Sequence, residues 1–405
     1  MQKSASQGLK ILITGATGYV GGRLLKTLQI KNHSLRCLAR RPEFLLHEKS
    51  ESTEVVPGNL LDFNSVKSAL DGIDIAYYLV HALGSTGSFE EEEYRAAKIF
   101  SKACQESGVR QIIYLGGLGT NKESLSEHLR TRQEVGDLLR SSGIPVIEFR
   151  ASIILGSGSF SFEMIRSLVE RLPIMTTPKW VKTLAQPIAI EDVIAYLVDA
   201  LTIIPVNKIF EIGGSDIVSY LDLMKEYSKQ RGLKRWMIPL PFLTPYLSSL
   251  WLSLITPLFA RVGRRLIEGI RNTTLVENKE ALLCFPIKPM GMKEAIVRSL
   301  ENEDQEFAQT HWSDSTGSRE FSQSWGGRRF KNRFIETHQI DLLLPTQMAF
   351  IPIQKIGGKT GWYYANFLWR IRGFIDRMIG GVGLRRGRRD PNHLTVGDAL
   401  DFWRV

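Results

Sequence analysis

Three glycines spaced three residues apart, Gly15, Gly18 and Gly21, follow the apolar run Ile11-Leu-Ile13 and open a stripe of Val20, Leu24, Leu25 and Leu28. That order is a strand over 11–13, a tight turn and a helix over 19–28, the arrangement that receives a pyrophosphate. Gly15 allows the sharp exit from the strand, Gly18 leaves space where a Cβ would meet the phosphates, and Gly21 lets the helix lie close to the strand. Helix N–H groups and the positive end of the helix dipole then face the anion. Thr17, Tyr19 and Val20 complete this turn. Together these residues predict a dinucleotide site.

Selectivity is read at the end of the second strand, where an NAD site places Asp or Glu against the ribose 2′-hydroxyl. The run Ser34-Leu-Arg-Cys-Leu-Ala-Arg40-Arg41 ends in two guanidiniums instead, whose forked geometry suits a 2′-phosphate. NADP is therefore expected ahead of NAD, the plain alternative being two solvated charges at a strand end. Further along, Asn59 and Leu60 close a third strand where the adenine edge would lie, and Asp62 has the type and place of a helix N-cap. Val80 and His81 end the fourth strand, with His81 read either as a cofactor contact or as a packed histidine. His128 and Arg132 stand one helical turn apart. An imidazole exchanges protons near neutrality and a neighbouring guanidinium favours its neutral form; the pair also reads as an anion site or as a surface pair without a role.

The elements that must carry these residues follow from alternation. Strands over 54–56, 75–80, 111–115 and 146–149 alternate with helices over 65–70, 89–107 and 125–141, which is repeated βαβ and predicts a Rossmann-type doubly wound parallel α/β sheet. The expected organisation is an NAD(P)-binding core over 1–150, a substrate-side part over 151–300 in which strands thin out, a polar linker over 301–332 and a C-terminal α+β domain over 333–405. In that last part a strand over 334–344 and a helix over 362–379 are expected, with Tyr364, Phe367, Leu368, Ile371, Ile375 and Met378 as a core stripe.

At 405 residues with 43% hydrophobic and 23% charged content, the chain is ordinary globular material and too long for one small core. Cys37, Cys104 and Cys284 form no paired spacing, so neither a disulfide framework nor a metal site is expected, and buried thiols in a reducing cytoplasm are. The polar start leaves no room for a signal peptide's apolar core. The net charge of +10 is concentrated late, 328–405 carrying 14 Lys and Arg against 6 Asp and Glu. Its densest cluster, Arg385, Arg386, Arg388 and Arg389, reads as a solvated turn or an anion-binding patch, and no nucleic-acid partner is expected. Residues 236–260 carry no charge, yet Pro239, Pro241, Pro245 and Pro257 break the stretch too often for a membrane span. A helix over 246–256, with Leu247, Leu250, Trp251 and Leu254 on one face, is read as buried, as a wall for an apolar ligand, or as a surface for a bilayer or a second subunit.

With those motifs in place, the chain resembles the atypical short-chain dehydrogenase/reductase superfamily in Thr14 to Gly22, in Tyr78-Leu-Val-His81 and in Tyr114-Leu-Gly-Gly-Leu-Gly119. More narrowly it is similar to bacterial NAD(P)-binding proteins that carry a C-terminal domain of unknown function. The segments are His128-Leu-Arg-Thr-Arg132-Gln-Glu-Val-Gly136, Ile267-Glu-Gly-Ile-Arg271, Ile356-Gly-Gly-Lys-Thr-Gly-Trp-Tyr-Tyr364, Gly380-Gly-Val-Gly-Leu-Arg-Arg-Gly-Arg388 and Asp401-Phe-Trp-Arg-Val405. The resemblance implies a START-like ligand-binding cup for that last domain, with the chain expected to stop partway through it. It also places His81 at the nicotinamide-side ribose. Members that transfer hydride use a Ser after the fifth strand and a Tyr-x-x-x-Lys on the next helix; here Gly116 and Gly117 stand at the serine's place and the helix offers His128 and Arg132. The first expectation is an NADP-dependent oxidoreductase on a bulky apolar substrate or lipid, cytoplasmic, with peripheral contact at the inner face of a membrane left open. A non-catalytic NADP(H)-binding sensor or scaffold is the second, and a nucleotide-sugar epimerase the weakest.

Overall fold

The computed structural model describes residues 8–31, 33–43, 45, 50–81, 89–119, 125–172, 174–239, 269, 272–301, 328–330, 333–335, 343–357, 360–378, 399–400 and 403–404. The expected helix over 246–256, nearly all of the linker and the late arginine cluster lie outside these residues. Contacts divide the chain into two compact units, 1–336 and 337–405.

The first unit is built on β1 (Lys10–Thr14), α1 (Tyr19–Gln29), β2 (Ser34–Ala39), β3 (Thr53–Pro57), α2 (Phe63–Ala69), β4 (Ile75–Tyr78), α3 (Phe89–Glu106), β5 (Gln111–Gly117), α4 (Glu127–Arg140) and β6 (Val146–Ala151). It continues through β7 (Ile154–Leu155), α5 (Phe160–Arg171), β8 (Ile174–Thr177), β9 (Leu184–Ala185), β10 (Ile188–Ala189), α6 (Ile190–Asp199) and β11 (Lys208–Ile212). Then follow β12 (Val218–Ser219), α7 (Tyr220–Gln230) and β13 (Trp236–Pro239). Seven strands form one sheet in the order β11-β6-β5-β4-β1-β2-β3, all parallel. This is the expected Rossmann-type α/β fold. The thinning of strands expected past residue 150 conceals the edge strand β11, which extends the sheet beyond β6.

Alternating side chains give the sheet two buried faces. Ile11, Ile13, Tyr77 and Phe149 pack under α1 and α6, while Leu12, Tyr78, Ile112 and Tyr114 pack under α2, α3 and α4. A third cluster, with Phe162, Ile165, Met224, Tyr227 and Ile296, supports the substrate-side part. Strand order reverses between β1 and β4, so the crevice beyond their carboxyl ends is the place where a doubly wound sheet receives a ligand.

Burial pushes the Cys37 thiol up to about 12 and the Cys104 thiol higher still, whereas Cys284 is only half-buried, so the expectation of three buried thiols holds for two. Among the described residues no helix is long and apolar enough to cross a membrane, and no cluster of three His, Cys, Asp or Glu is placed to hold a metal ion.

Two expectations for the late part of the chain are corrected. Of the strand expected over 334–344, Phe334 and Ile335 fall in strand Arg333–Ile335, paired antiparallel with Arg328–Phe330, Leu343 and Leu344 lie in a bend, and 336–342 lie outside the described residues. In the second unit, helix Asn366–Met378 starts four residues after the expected Trp362, behind a turn in which Tyr363 and Ala365 take φ of 60° and 54°. Its stripe is not core: Tyr364, Phe367, Leu368 and Ile371 are all exposed. Periodicity marks one face of a helix, and no described residue packs over this one. Much of the START-like cup expected there, including all of 379–398, lies outside the described residues.

Candidate functional site

A cleft of about 730 Å³ opens at the reversal between β1 and β4. Its floor is the glycine turn. Gly15 has φ +77°, and a Cβ there would stand 2.7 Å from the carbonyl oxygen of Leu79. A Cβ on Gly21 would collide with the carbonyl oxygen of Gly15, so helix and strand meet backbone to backbone. Gly18 is the N-cap of α1 and no side chain caps the helix, whereas Asp62, Ser126, Ser159 and Ser219 cap α2, α4, α5 and α7. The first turn of α1 also carries no carboxylate. An uncapped, acid-free helix start on a glycine turn that lines the cleft fits a pyrophosphate. Thr17, Tyr19 and Val20 line the same cleft.

Arg40, directly after β2, is exposed and lines the cleft; Arg41 is half-buried and is not part of the lining. Asn59 and Leu60, after the neighbouring strand β3, line the cleft beside Arg40, where the Asn59 side-chain oxygen accepts from the Leu61 N–H at 3.1 Å and steadies the turn into α2. Asp62 caps that helix as its type suggested, accepting from the Asn64 N–H at 3.1 Å. Val80 and His81 continue β4 into the cleft.

At the other end, His81 and His128 come together with ring centroids 4.8 Å apart. The His81 Nδ1 lies 2.6 Å from a carboxylate oxygen of Glu93, which reaches over from α3 and is 7% exposed. Arg132 turns to the sheet: its guanidinium donates to the Leu115 carbonyl and lies over the Tyr114 ring, whose hydroxyl donates to the Arg132 carbonyl at 2.8 Å. Helix α4 is thereby clamped on β5. A Cβ on Gly117 would stand 2.8 Å from a Leu129 methyl and one on Gly116 3.0 Å from the Glu148 carboxylate. Glu148 is fully buried, paired with Arg150 at 2.6 Å and with Arg140.

The remaining wall comes from the substrate-side part, through Ile153, Ile154, Phe160, Ala185 and Tyr220. The segment around Asn272 closes it against α4, the Asn272 oxygen accepting from the Ser126 N–H at 2.9 Å. Burial pushes the Tyr220 phenol up to about 12 and that of Tyr78 well above its ordinary value. Neither of these two phenols is therefore available as a phenolate base at neutral pH.

Sequence reasoning missed Glu93 and Tyr220. For Glu93 a signal existed: it precedes Ala96, Ala97 and Phe100 by three, four and seven residues, the spacing of the inward face of α3. The run of four glutamates 90–93 hid it.

Comparison with known proteins fits this geometry. Residues 15–147 match the model of the NAD(P)H-binding family, and 331–405 match that of a family of proteins of unknown function, DUF2867. A ceramide reductase from Caulobacter vibrioides is 24% identical over 238 residues, 57% of this chain and 73% of that protein. A Citrobacter triphenylmethane reductase complexed with NADP(H) superposes with a TM-score of 0.59 at 17% identity, covering 72% of this chain and all of that one. A Bordetella bronchiseptica enzyme in complex with NAD+ gives a TM-score of 0.53 at 13% identity, over 72% of this chain and 98% of that one. The fold is therefore shared by proteins that hold either nucleotide. The chain thus joins a region that matches the NAD(P)H-binding family model to a C-terminal region that matches the DUF2867 model.

Proposed function

We propose that this protein is an NADP(H)-dependent oxidoreductase acting on a bulky apolar substrate, with His128 exchanging the proton that accompanies hydride transfer. The observation that carries this reading is that one cleft unites an uncapped glycine turn, Arg40 and a pair of imidazoles with an apolar wall. Gly15, Thr17, Gly18, Tyr19, Val20 and Gly21 hold the pyrophosphate. Arg40, with Arg41 behind it, neutralises the 2′-phosphate. Asn59 and Leu60 flank the adenine, while Val80 and His81 flank the nicotinamide-side ribose. Bound there, the nicotinamide supplies or takes up the hydride. His128 delivers a proton to the substrate oxygen in reduction and withdraws it in oxidation. Arg132 is a positioning residue, since its charge is spent on the Leu115 carbonyl and the Tyr114 ring. Ile153, Ile154 and Phe160 exclude water and suit a long or polycyclic apolar body. The ceramide reductase among the relatives supports a lipid-like substrate.

One observation favours a second reading, a non-catalytic NADP(H) sensor or scaffold. Gly116 and Gly117 supply no hydroxyl at the end of β5, and a Cβ on either would press on the Glu148 carboxylate or a Leu129 methyl. One experiment separates the two: purified protein is incubated with NADPH and a panel of quinones, enones and long-chain ketones, following absorbance of the reduced nicotinamide. Consumption that falls by about 10²-fold or more in His128→Ala supports turnover. Tight NADPH binding with no panel member reduced supports the sensor.

A further inference from the structure

We infer that Glu93 is a positioning residue of this cleft: its carboxylate holds the His81 proton on Nδ1, and the ring so fixed sets the orientation of the His128 imidazole packed against it. The inference rests on the proposed role of His128 only for its catalytic consequence; the geometry stands by itself.

A carboxylate is an acceptor only, so the 2.6 Å contact between Glu93 and His81 Nδ1 requires the hydrogen to sit on that nitrogen. In neutral imidazole the other nitrogen, Nε2, is then an acceptor. Free histidine prefers the opposite tautomer, with the hydrogen on Nε2. Glu93 thus selects the less common form, which leaves the lone pair on Nε2.

The pair is built into the fold. Glu93 is 7% exposed and sits on the inward stripe of α3, and its charge raises the pKa of the buried Tyr78 and Tyr114 phenols. Burying a carboxylate is costly unless it is hydrogen-bonded to a donor, and His81 is such a donor. Arg132 is the cation facing the same two tyrosine rings from α4. His81 cannot rotate away without giving up the carboxylate, and its ring lies 4.8 Å from that of His128 at an interplanar angle of 40°. Glu93, itself in the lining of the cleft, therefore fixes the first imidazole and through it the second. Holding an imidazole in the productive tautomer through a buried carboxylate is an effect known to be large where it has been broken.

The test is nitrogen-15 NMR of histidine-labelled protein without nucleotide, at a pH where the imidazoles are neutral. Wild-type His81 is expected in the Nδ1–H form. Glu93→Gln retains an oxygen that accepts from Nδ1–H and keeps that form, whereas Glu93→Leu removes the acceptor and shifts His81 to the Nε2–H form, displacing the His128 resonances as well. With an active substrate in hand, Glu93→Leu lowers kcat by about tenfold or more while Glu93→Gln stays near wild type. Should Glu93→Leu fail to fold, the wild-type and Glu93→Gln spectra still decide. His81 in the Nε2–H form in the wild type, or unchanged by Glu93→Leu, overturns the inference. Because the spectra need no turnover, an absence of NADPH consumption sinks the oxidoreductase reading and leaves this one standing.

Discussion

Glycines end two strands of the same sheet, and they differ in what surrounds them. At the end of β1 a Cβ on Gly15 or Gly21 would strike main-chain carbonyls, those of Leu79 and Gly15. At the end of β5 a Cβ on Gly116 or Gly117 would strike side chains, Glu148 and Leu129. Backbone cannot yield without moving a strand or a helix, whereas a leucine methyl can change rotamer. The first turn is thus fixed by the sheet itself and serves a ligand common to the whole fold. The second is shaped by side chains of α4 and β6, Leu129 and Glu148, and the proton exchange proposed for His128 belongs to that end of the cleft.

Gly21→Ala strains that difference at its rigid end. It is expected to cost about 3 kcal/mol of stability, read as a lower urea midpoint, and to remove NADPH binding with it. Arg40→Ala combined with Arg41→Ala sharpens the ligand assignment without touching the turn. NADPH affinity is expected to fall about tenfold, the loss of a charge-assisted contact, while NADH affinity stays nearly unchanged; equal weakening of both would refute NADP selectivity. Gly117→Ser tests the yielding end by restoring the hydroxyl that the superfamily uses. Leu129 repacks at a cost of about 1 kcal/mol, and no gain in turnover is expected because α4 carries no Tyr-x-x-x-Lys.

The smallest effect is at the α3–α4 seam beside the imidazoles. The protonated Glu90 carboxyl donates a hydrogen bond to the neighbouring Glu127 carboxylate, which holds its pKa up to about 7, against 4.5 for the unperturbed group. The folded chain therefore keeps a proton that the unfolded chain releases, and stability falls slightly as pH rises between those values. Urea midpoints measured across that window should flatten in Glu90→Gln.

What the sequence made legible was local. The glycine turn, the strand before it and the helix after it are contiguous, so residues 10–29 carry their own geometry. The Asp62 cap was readable for the same reason. What stayed hidden depends on distant partners. Edge strand β11 sits far along the chain from β6, and its pairing follows only from the sheet. The Glu93–His81 contact joins a helix to a strand end, and nothing in the spacing of either segment announces it. The stripe Phe367, Leu368 and Ile371 marked a helix face correctly, but amphipathic spacing carries no information about whether anything covers that face.

The central claim is that a nicotinamide dinucleotide seats its pyrophosphate on the start of α1. Gly18→Asp tests it most directly, because the N-cap at φ −85° and ψ 173° accommodates aspartate and the fold is preserved, while the new carboxylate occupies the place of the phosphate. Calorimetric titration with NADPH should show saturable binding to the wild type and a loss of at least about tenfold in Gly18→Asp. A wild type that binds no nicotinamide nucleotide, or a variant that binds it equally well, would contradict the account.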